Sequence, residues 1–500
     1  MHHVSEFLQR MAGECPHAPF LAFGEDRHSY EEVWEEVLQL AHWLRRAGVT
    51  RGDRVLIHSK NRPQLVVSLF ATSLVGGVFV VMNSKLKSAG FEKIVRQCEP
   101  TVIVSDDHCA DLSVSEMVPK LLMDGEREGW DSWEALAEMP TTLLHWPGVD
   151  VDAAALIFTS GSTGVPRGCT LSHHNIAFVV DAIQERLGYR FDDVVGCFLP
   201  LSFDYGLYQI FLAAQVGACL SIGDPDQVGP HLPRLLKEGE VTVLPAVPAV
   251  DAALIKMHGR RPYELPKLRS VTNTGERLPL AYIDRLREMF PGIEVFVMFG
   301  LTECKRVSIL LPEEFDGGKK HTVGRPLKGT EVYAAGPEGE RLPAGEVGEL
   351  VVRGRHVALG YWRAPEETSM RFRKRAPHSA VELFTGDTGS VDEDGYITFA
   401  SRADDLLKHR GNRISPVEIE NEACGVTGVV EASVFKRESD DFLYLVVTTA
   451  SEDLAEGEIL RRLQERLEPA KVPDRVQIRK DMPKSVNGKI DRKALILETA

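Results

Sequence analysis

An α/β fold is predicted for this chain: a large N-terminal α/β body of several subdomains followed by a small C-terminal α+β domain. Three observations predict it. Apolar strands alternate with amphipathic helices through much of the first 300 positions, and past residue 340 the texture changes to short strands cut by Gly and Asp. The length, 500 residues, exceeds what one hydrophobic core organises.

The elements follow in order. From Ser29 to Leu44, Ser29 and Glu32 make a capping-box pattern, and Val33, Val37, Leu40, Ala41 and Leu44 recur at helical spacing. After the Gly52-Asp53 turn comes the apolar strand Val55-Leu56-Ile57-His58, then a helix opening near Pro63 and stopping at Gly76-Gly77, then a strand from Val78 to Met82. This is a β-α-β unit, and its apolar strands predict a parallel sheet covered on both faces. Similar strands recur at Leu156-Ile157-Phe158, Val194 to Leu199, Val241 to Leu244 and Val295-Phe296-Val297. Later, Glu349 to Val352 and Gly395 to Phe399 read as short strands. Glu431 to Phe435, Leu443 to Val447 and a helix from Leu454 to Leu467 make up the last unit. The charged stretch Arg402-Ala403-Asp404-Asp405 is the expected hinge, dividing the chain into residues 1–402 and 403–500.

Composition excludes several function classes. The net charge of −15 opposes binding to a polyanion, so nucleic acid is not an expected partner. No apolar run reaches the roughly 20 residues that span a bilayer, and the first residues lack a basic-then-apolar leader, so a cytoplasmic location is expected. The eight cysteines are scattered without a CxxC pair, which signals neither a zinc site nor a disulfide framework.

The chemistry concentrates in Thr159-Ser160-Gly161-Ser162-Thr163-Gly164-Val165-Pro166-Arg167-Gly168, directly after an apolar strand. Small residues let backbone N–H groups close around phosphate oxygens, hydroxyls add donors, and Arg167 answers the negative charge. The Gly-Lys-Ser/Thr ending of a Walker A loop is missing.

This loop and its company resemble the adenylate-forming superfamily of acyl-CoA synthetases, carrier-loading adenylation domains and luciferases, from about residue 30 to Lys493. The family's loop embraces the pyrophosphate end of ATP and usually closes with Lys where this chain has Arg167. Asn273-Thr274-Gly275-Glu276-Arg277 resembles the adenine-contacting turn, implying that Gly275 and Glu276 line the base. Met298-Phe299-Gly300-Leu301-Thr302-Glu303 is similar to the aromatic-Gly-x-Thr-Glu motif: Phe299 would stack on adenine, Thr302 would bind the α-phosphate and Glu303 would hold Mg²⁺. Thr385-Gly386-Asp387 matches the segment whose Asp accepts from the ribose hydroxyls, with Arg402 as its partner. The stretch Ser401 to Ile414 resembles the hinge and the loop after it, with Asp404 at the pivot and Gly411 in the loop that opens the thiol path. Pro483 to Arg492 resembles the terminal catalytic loop, making Lys489 the reactive lysine.

The implied fold is that of the adenylate-forming enzymes, with a mobile C-terminal lid. The implied reaction is ATP-dependent formation of acyl-AMP from a carboxylic acid, followed by transfer to the pantetheine thiol of CoA or of a carrier protein. A cation between the attacking carboxylate and the α-phosphate neutralises developing charge, which suits Lys489. The acid pocket is expected around Phe203, Asp204 and Tyr205. Asp204 has two readings: a partner for the ammonium of an amino-acid substrate, as in a standalone amino-acid-adenylating enzyme, or an N-cap of the helix Tyr205 to Ala213. His173 and His174 are read as the start of a helix. A luciferase-like oxygenase and a silent nucleotide-binding protein are the rival functions.

Overall fold

The computed structural model describes residues 3–107, 118–159, 166–402, 407–409, 412–437, 440, 442–450, 454–485 and 488–499. Two large sheets build the N-terminal body. In the first, the parallel neighbours Arg54–Ser59 and Val78–Asn83 flank the helix Pro63–Leu74, which gives the β-α-β unit that the sequence predicts. Ala153–Thr159 lies parallel to Val78–Asn83 and antiparallel to Arg167–Ser172. The second sheet carries the parallel run Val194–Cys197, Val243–Ala246, Ser270–Asn273 and Glu294–Phe299.

Helices between the sheets make the core. The helix Tyr30–Arg46 is capped by Ser29, whose hydroxyl accepts from the Glu32 N–H while the Glu32 carboxylate accepts from the Ser29 N–H, so the capping box forms as read. The helix Asp204–Val216 is buried along most of its length, and Phe211 meets Phe7, Phe70 and Phe79 with ring centroids 6.1, 6.1 and 6.5 Å apart. That packing anchors the helix at its core end and so fixes where its first residue, Asp204, stands.

Past residue 330 a five-stranded sheet forms, with Thr330–Ala335, Gly348–Gly354, Glu382–Val391 and Ile397–Arg402 among its strands. The final unit has the strands Val429–Lys436, Leu443–Thr449 and Arg475–Arg479. Its helix Glu456–Gln464 is shorter than the sequence suggests, because only Ile459 and Leu463 are fully buried along it. The unit docks on the body: the Tyr282 hydroxyl donates to the Val430 carbonyl, Arg285 donates to the Val429 carbonyl at 3.0 Å, and Lys256 pairs with Asp481 at 3.1 Å. The expected hinge residue Asp404 and loop residue Gly411 lie outside the described residues. Among the described residues no helix is long and apolar enough to cross a membrane, and the seven described cysteines are unbridged.

Candidate active site

Ligands of open α/β sheets bind beyond the carboxyl ends of the strands, where loops diverge. Ser270–Asn273 and Glu294–Phe299 are adjacent and parallel, so Gly275-Glu276 and Phe299 leave the sheet on the same side. Between these ends and the C-terminal unit lies a cavity of about 270 Å³, and Gly275, Glu276, Phe299, Asp387 and Lys489 all line it. Five residues singled out in the sequence thus share one chamber. Phe399 faces Phe299 across it, with ring centroids 5.7 Å apart.

Lys489 reaches the chamber on a tight hairpin. The Ser485 N–H donates to the Lys489 carbonyl at 2.7 Å, the Lys489 N–H donates to the Ser485 hydroxyl at 3.2 Å, and Gly488 takes the left-handed φ of +77° that the turn demands. Gly275, at φ +96°, carries no side chain toward this point. A Cβ there would stand 3.6 Å from Lys489 Cε and 3.9 Å from Phe203 Cζ. Glycine therefore leaves open the spot where the lysine tip, the acid-pocket phenylalanine and the adenine-side turn converge. Glu276 opens to the cleft yet is crowded from both lobes; this desolvation raises its carboxyl pKa, against the pull of Lys489.

A second cluster surrounds Glu303. The Tyr361 hydroxyl donates to the Glu303 carboxylate at 2.6 Å, and the Arg371 guanidinium stands 3.5 Å from the same oxygen. Arg167 lies over the Tyr361 ring, 5.8 Å from its centroid. Burial and the neighbouring Glu303 push the Tyr361 phenol well above its usual pKa, so it remains a donor. Thr302 abuts the same strand as Arg167, its carbonyl accepting from the Cys169 thiol at 3.6 Å. Thr159 and Arg167 are paired across the base of the loop, while Ser160, Gly161, Ser162, Thr163 and Gly164 lie outside the described residues. Asp387 pairs in register with Arg402. The Thr385-Gly386-Asp387 segment of the strand Glu382–Val391 is tied to the Glu303 cluster by Arg371, which also donates to the Thr385 carbonyl at 3.2 Å.

Glu303 offers one hard carboxylate, and the described residues hold no group of three or more His, Cys, Asp or Glu able to form a full protein shell. A single carboxylate with phosphate oxygens and water completing the shell suits Mg²⁺, so the donor set fits this ion.

The acid-pocket prediction needs one correction. Asp204 does not cap its helix: Phe203 holds the N-cap position, no side-chain cap bond forms, and Asp204 is the first helical residue. Its carboxylate instead faces the Lys305 ammonium at 3.6 Å. His173 begins the helix His173–Leu187 as read, but the cap there is Ser172, bonded to the Asn175 N–H. Tyr361, Arg371, Lys305 and Arg306 are site residues that the sequence reading passes over.

The AMP-binding enzyme family model matches residues 8–362, and the AMP-binding enzyme C-terminal domain model matches residues 418–489. The chain is 30% identical to feruloyl-CoA synthase of Amycolatopsis sp, over 96% of this chain and 96% of that protein. It is 29% identical to the L-proline--[L-prolyl-carrier protein] ligase of Streptomyces coelicolor, over 96% of this chain and 94% of that one. Some relatives are far longer: the chain spans 36% of delta-poly-L-ornithine synthetase of Acinetobacter baumannii, at 29% identity over 98% of its own length. The crystal structure of the anthranilate CoA ligase AuaEII in complex with anthranoyl-AMP shares the fold, with a TM-score of 0.89 at 24% identity over 99% of this chain and 97% of that one.

Proposed function

The chain belongs to the AMP-binding enzyme family of adenylate-forming ligases, and on that premise we propose that it condenses a carboxylic acid with ATP to acyl-AMP and pyrophosphate, then passes the acyl group to a pantetheine thiol. The convergence of Lys489, Gly275 and Phe203 on one point carries this reading.

Adenine enters the chamber between Phe299 and the Gly275-Glu276 turn, and Asp387 accepts from the ribose. This placement directs the triphosphate toward Thr302, Arg167 and the loop from Thr159 through Gly164. Glu303 would hold Mg²⁺, which would supply charge neutralisation to the phosphates. Tyr361 and Arg371 hold the Glu303 carboxylate in one orientation beforehand, which lowers the reorganisation needed on binding. The acid carboxylate comes in past Phe203. One carboxylate oxygen attacks the α-phosphorus, the bond to the bridging oxygen breaks, and pyrophosphate leaves with the electron pair. The Lys489 ammonium lies where these anions meet and offsets their repulsion.

In the second half, the C-terminal unit pivots at Asp404, Lys489 withdraws, and the loop containing Gly411 opens a path for the thiol. The thiol sulfur attacks the acyl carbon, and AMP departs. Residues 1–402 act as the body and 403–500 as the lid. CoA and a carrier protein present the same pantetheine arm, and the acceptor is one of these two. A cytoplasmic location, where ATP and the thiol would meet, is part of this reading.

ATP–pyrophosphate exchange with a panel of acids tests the reading. Acid-dependent incorporation of labelled pyrophosphate into ATP is the expected result, and acid-independent behaviour or none at all contradicts it.

A further inference from the structure

Two cations are buried side by side against the Phe203-Asp204 segment, and among the described residues they outnumber their carboxylate partners. Lys305 is 3% exposed and Arg306 is 2% exposed. Lys305 donates to the Asp204 carbonyl at 2.8 Å, faces the Asp204 carboxylate at 3.6 Å, and lies over the rings of Tyr205 and Tyr208 at 5.2 and 4.6 Å. Arg306 donates to the Thr274 hydroxyl and lies 5.4 Å over the Tyr205 ring. These contacts link the pair to the reaction point by two short routes. Asp204 directly follows Phe203, and Thr274 directly precedes Gly275; Gly275 faces both the Phe203 ring and the tip of Lys489.

Asp204 can balance only one of the two charges. Asp251, buried beside Tyr205, is engaged by the Asn273 amide and not by either cation. A buried cation without an anion is costly, and the remaining contacts are a hydroxyl, a carbonyl and aromatic faces. Burial pushes the Lys305 ammonium down to about 7, so it is only partly protonated at neutral pH, and an anion brought beside it would favour the charged form. Two polar atoms of the cluster are buried without a hydrogen-bond partner among the described residues, Arg306 Nε and the Tyr208 hydroxyl. Lys305 also holds the left-handed φ of +56°, which a non-glycine residue adopts at a cost, so the chain keeps this side chain in place against local strain.

We infer that the acid activated here carries a second anionic group, as in a dicarboxylic acid, and that Lys305 and Arg306 receive it. The inference rests on the ligase reading above and names its substrate class. It also alters the ammonium alternative: Asp204 already faces a resident ammonium, so a substrate amino group alone leaves the excess positive charge unanswered.

Pyrophosphate exchange by the full chain with MgATP tests this, using dicarboxylic acids of graded length, their monomethyl esters and length-matched monocarboxylic acids. A diacid should exceed its own monoester in kcat/KM by about 10- to 100-fold, the range for a hydrogen bond to a charged group. Arg306→Gln and Lys305→Met should collapse that ratio, chiefly through KM for the diacid, and Arg306→Lys should restore part of it. Circular dichroism and ATP binding report whether each variant folds; if one does not, the wild-type ratio of diacid to monoester still decides. Equal or better use of the monoester by the wild type overturns the inference and leaves the ligase reading intact. Failure to bind ATP, with no exchange on any acid, overturns the ligase reading and this inference with it.

Discussion

Replacing Lys489 with alanine removes the cation that the C-terminal hairpin brings up to Gly275 and leaves the hairpin itself in place. The turn depends on backbone bonds between Ser485 and Lys489 and on the left-handed Gly488, none of which the substitution touches. At about 4 Å and an effective dielectric constant of about 20, a charge pair is worth about 4 kcal/mol. Each 1.4 kcal/mol of barrier is about tenfold in rate, so the adenylation step should slow by about 10³-fold. The chain's stability should change by less than about 0.5 kcal/mol, since the side chain lies in an open cleft. Two assays separate the half-reactions: pyrophosphate exchange reads adenylation, and thioester release from supplied acyl-AMP reads transfer. Exchange should fall by the stated factor while transfer keeps most of its rate. Equal losses in both would refute the assignment, because a lysine that withdraws before the second step cannot serve both.

Three further predictions address the surrounding residues. Tyr361→Phe deletes the 2.6 Å bond to Glu303, and a hydrogen bond to a charged group is worth about 1.5–3 kcal/mol; exchange should fall about 10- to 100-fold and need more Mg²⁺ for half-maximal rate, whereas an unchanged Mg²⁺ titration would count against the Glu303 role. Asp204→Ala removes the carboxylate that faces Lys305 at 3.6 Å, and breaking a buried pair costs about 3–5 kcal/mol, so denaturant unfolding should show a loss of that order, with a marginal change arguing that solvent reaches the pair. Asp251 is fully buried beside Asn273, with its carboxyl pushed up from 3.8 to about 8. The folded chain then holds a proton that the unfolded chain releases across that window, so this group makes stability fall as pH rises from about 4 to about 8. Asp251→Asn should flatten that part of the curve of thermal midpoint against pH, and an unaltered slope would show that Asp251 is ionised in the fold.

What could be read in the sequence was local or periodic. The Ser29–Glu32 capping box, the β-α-β unit around Pro63–Leu74 and the strand at Val295 to Val297 depend on neighbours a few residues away, and each formed as expected, the strand running on to Phe299. Gly275, Glu276, Phe299, Asp387 and Lys489 could be found because their segments resemble a family pattern, and the fold gathers them around one cavity. Tyr361 escaped notice because its role lies in a contact with Glu303, 58 positions away, that no spacing rule encodes. Lys305 and Arg306 were passed over for a different reason: a dibasic pair after a polar turn ordinarily faces solvent, and only the packing of Tyr205, Tyr208 and Thr274 around it reveals that it is buried. Of the two readings of Asp204, the N-cap one misses by a single helical position, because Phe203 holds the cap, and no spacing rule could show that the ammonium facing Asp204 is that of Lys305.

The central claim, that a carboxylate oxygen attacks the α-phosphorus of ATP, is tested most directly by following that oxygen. With substrate acid labelled by ¹⁸O in both carboxyl positions, a complete turnover to thioester should leave one labelled oxygen in the phosphate of AMP and none in pyrophosphate. Label in orthophosphate, or unlabelled AMP beside labelled thioester, would contradict the account.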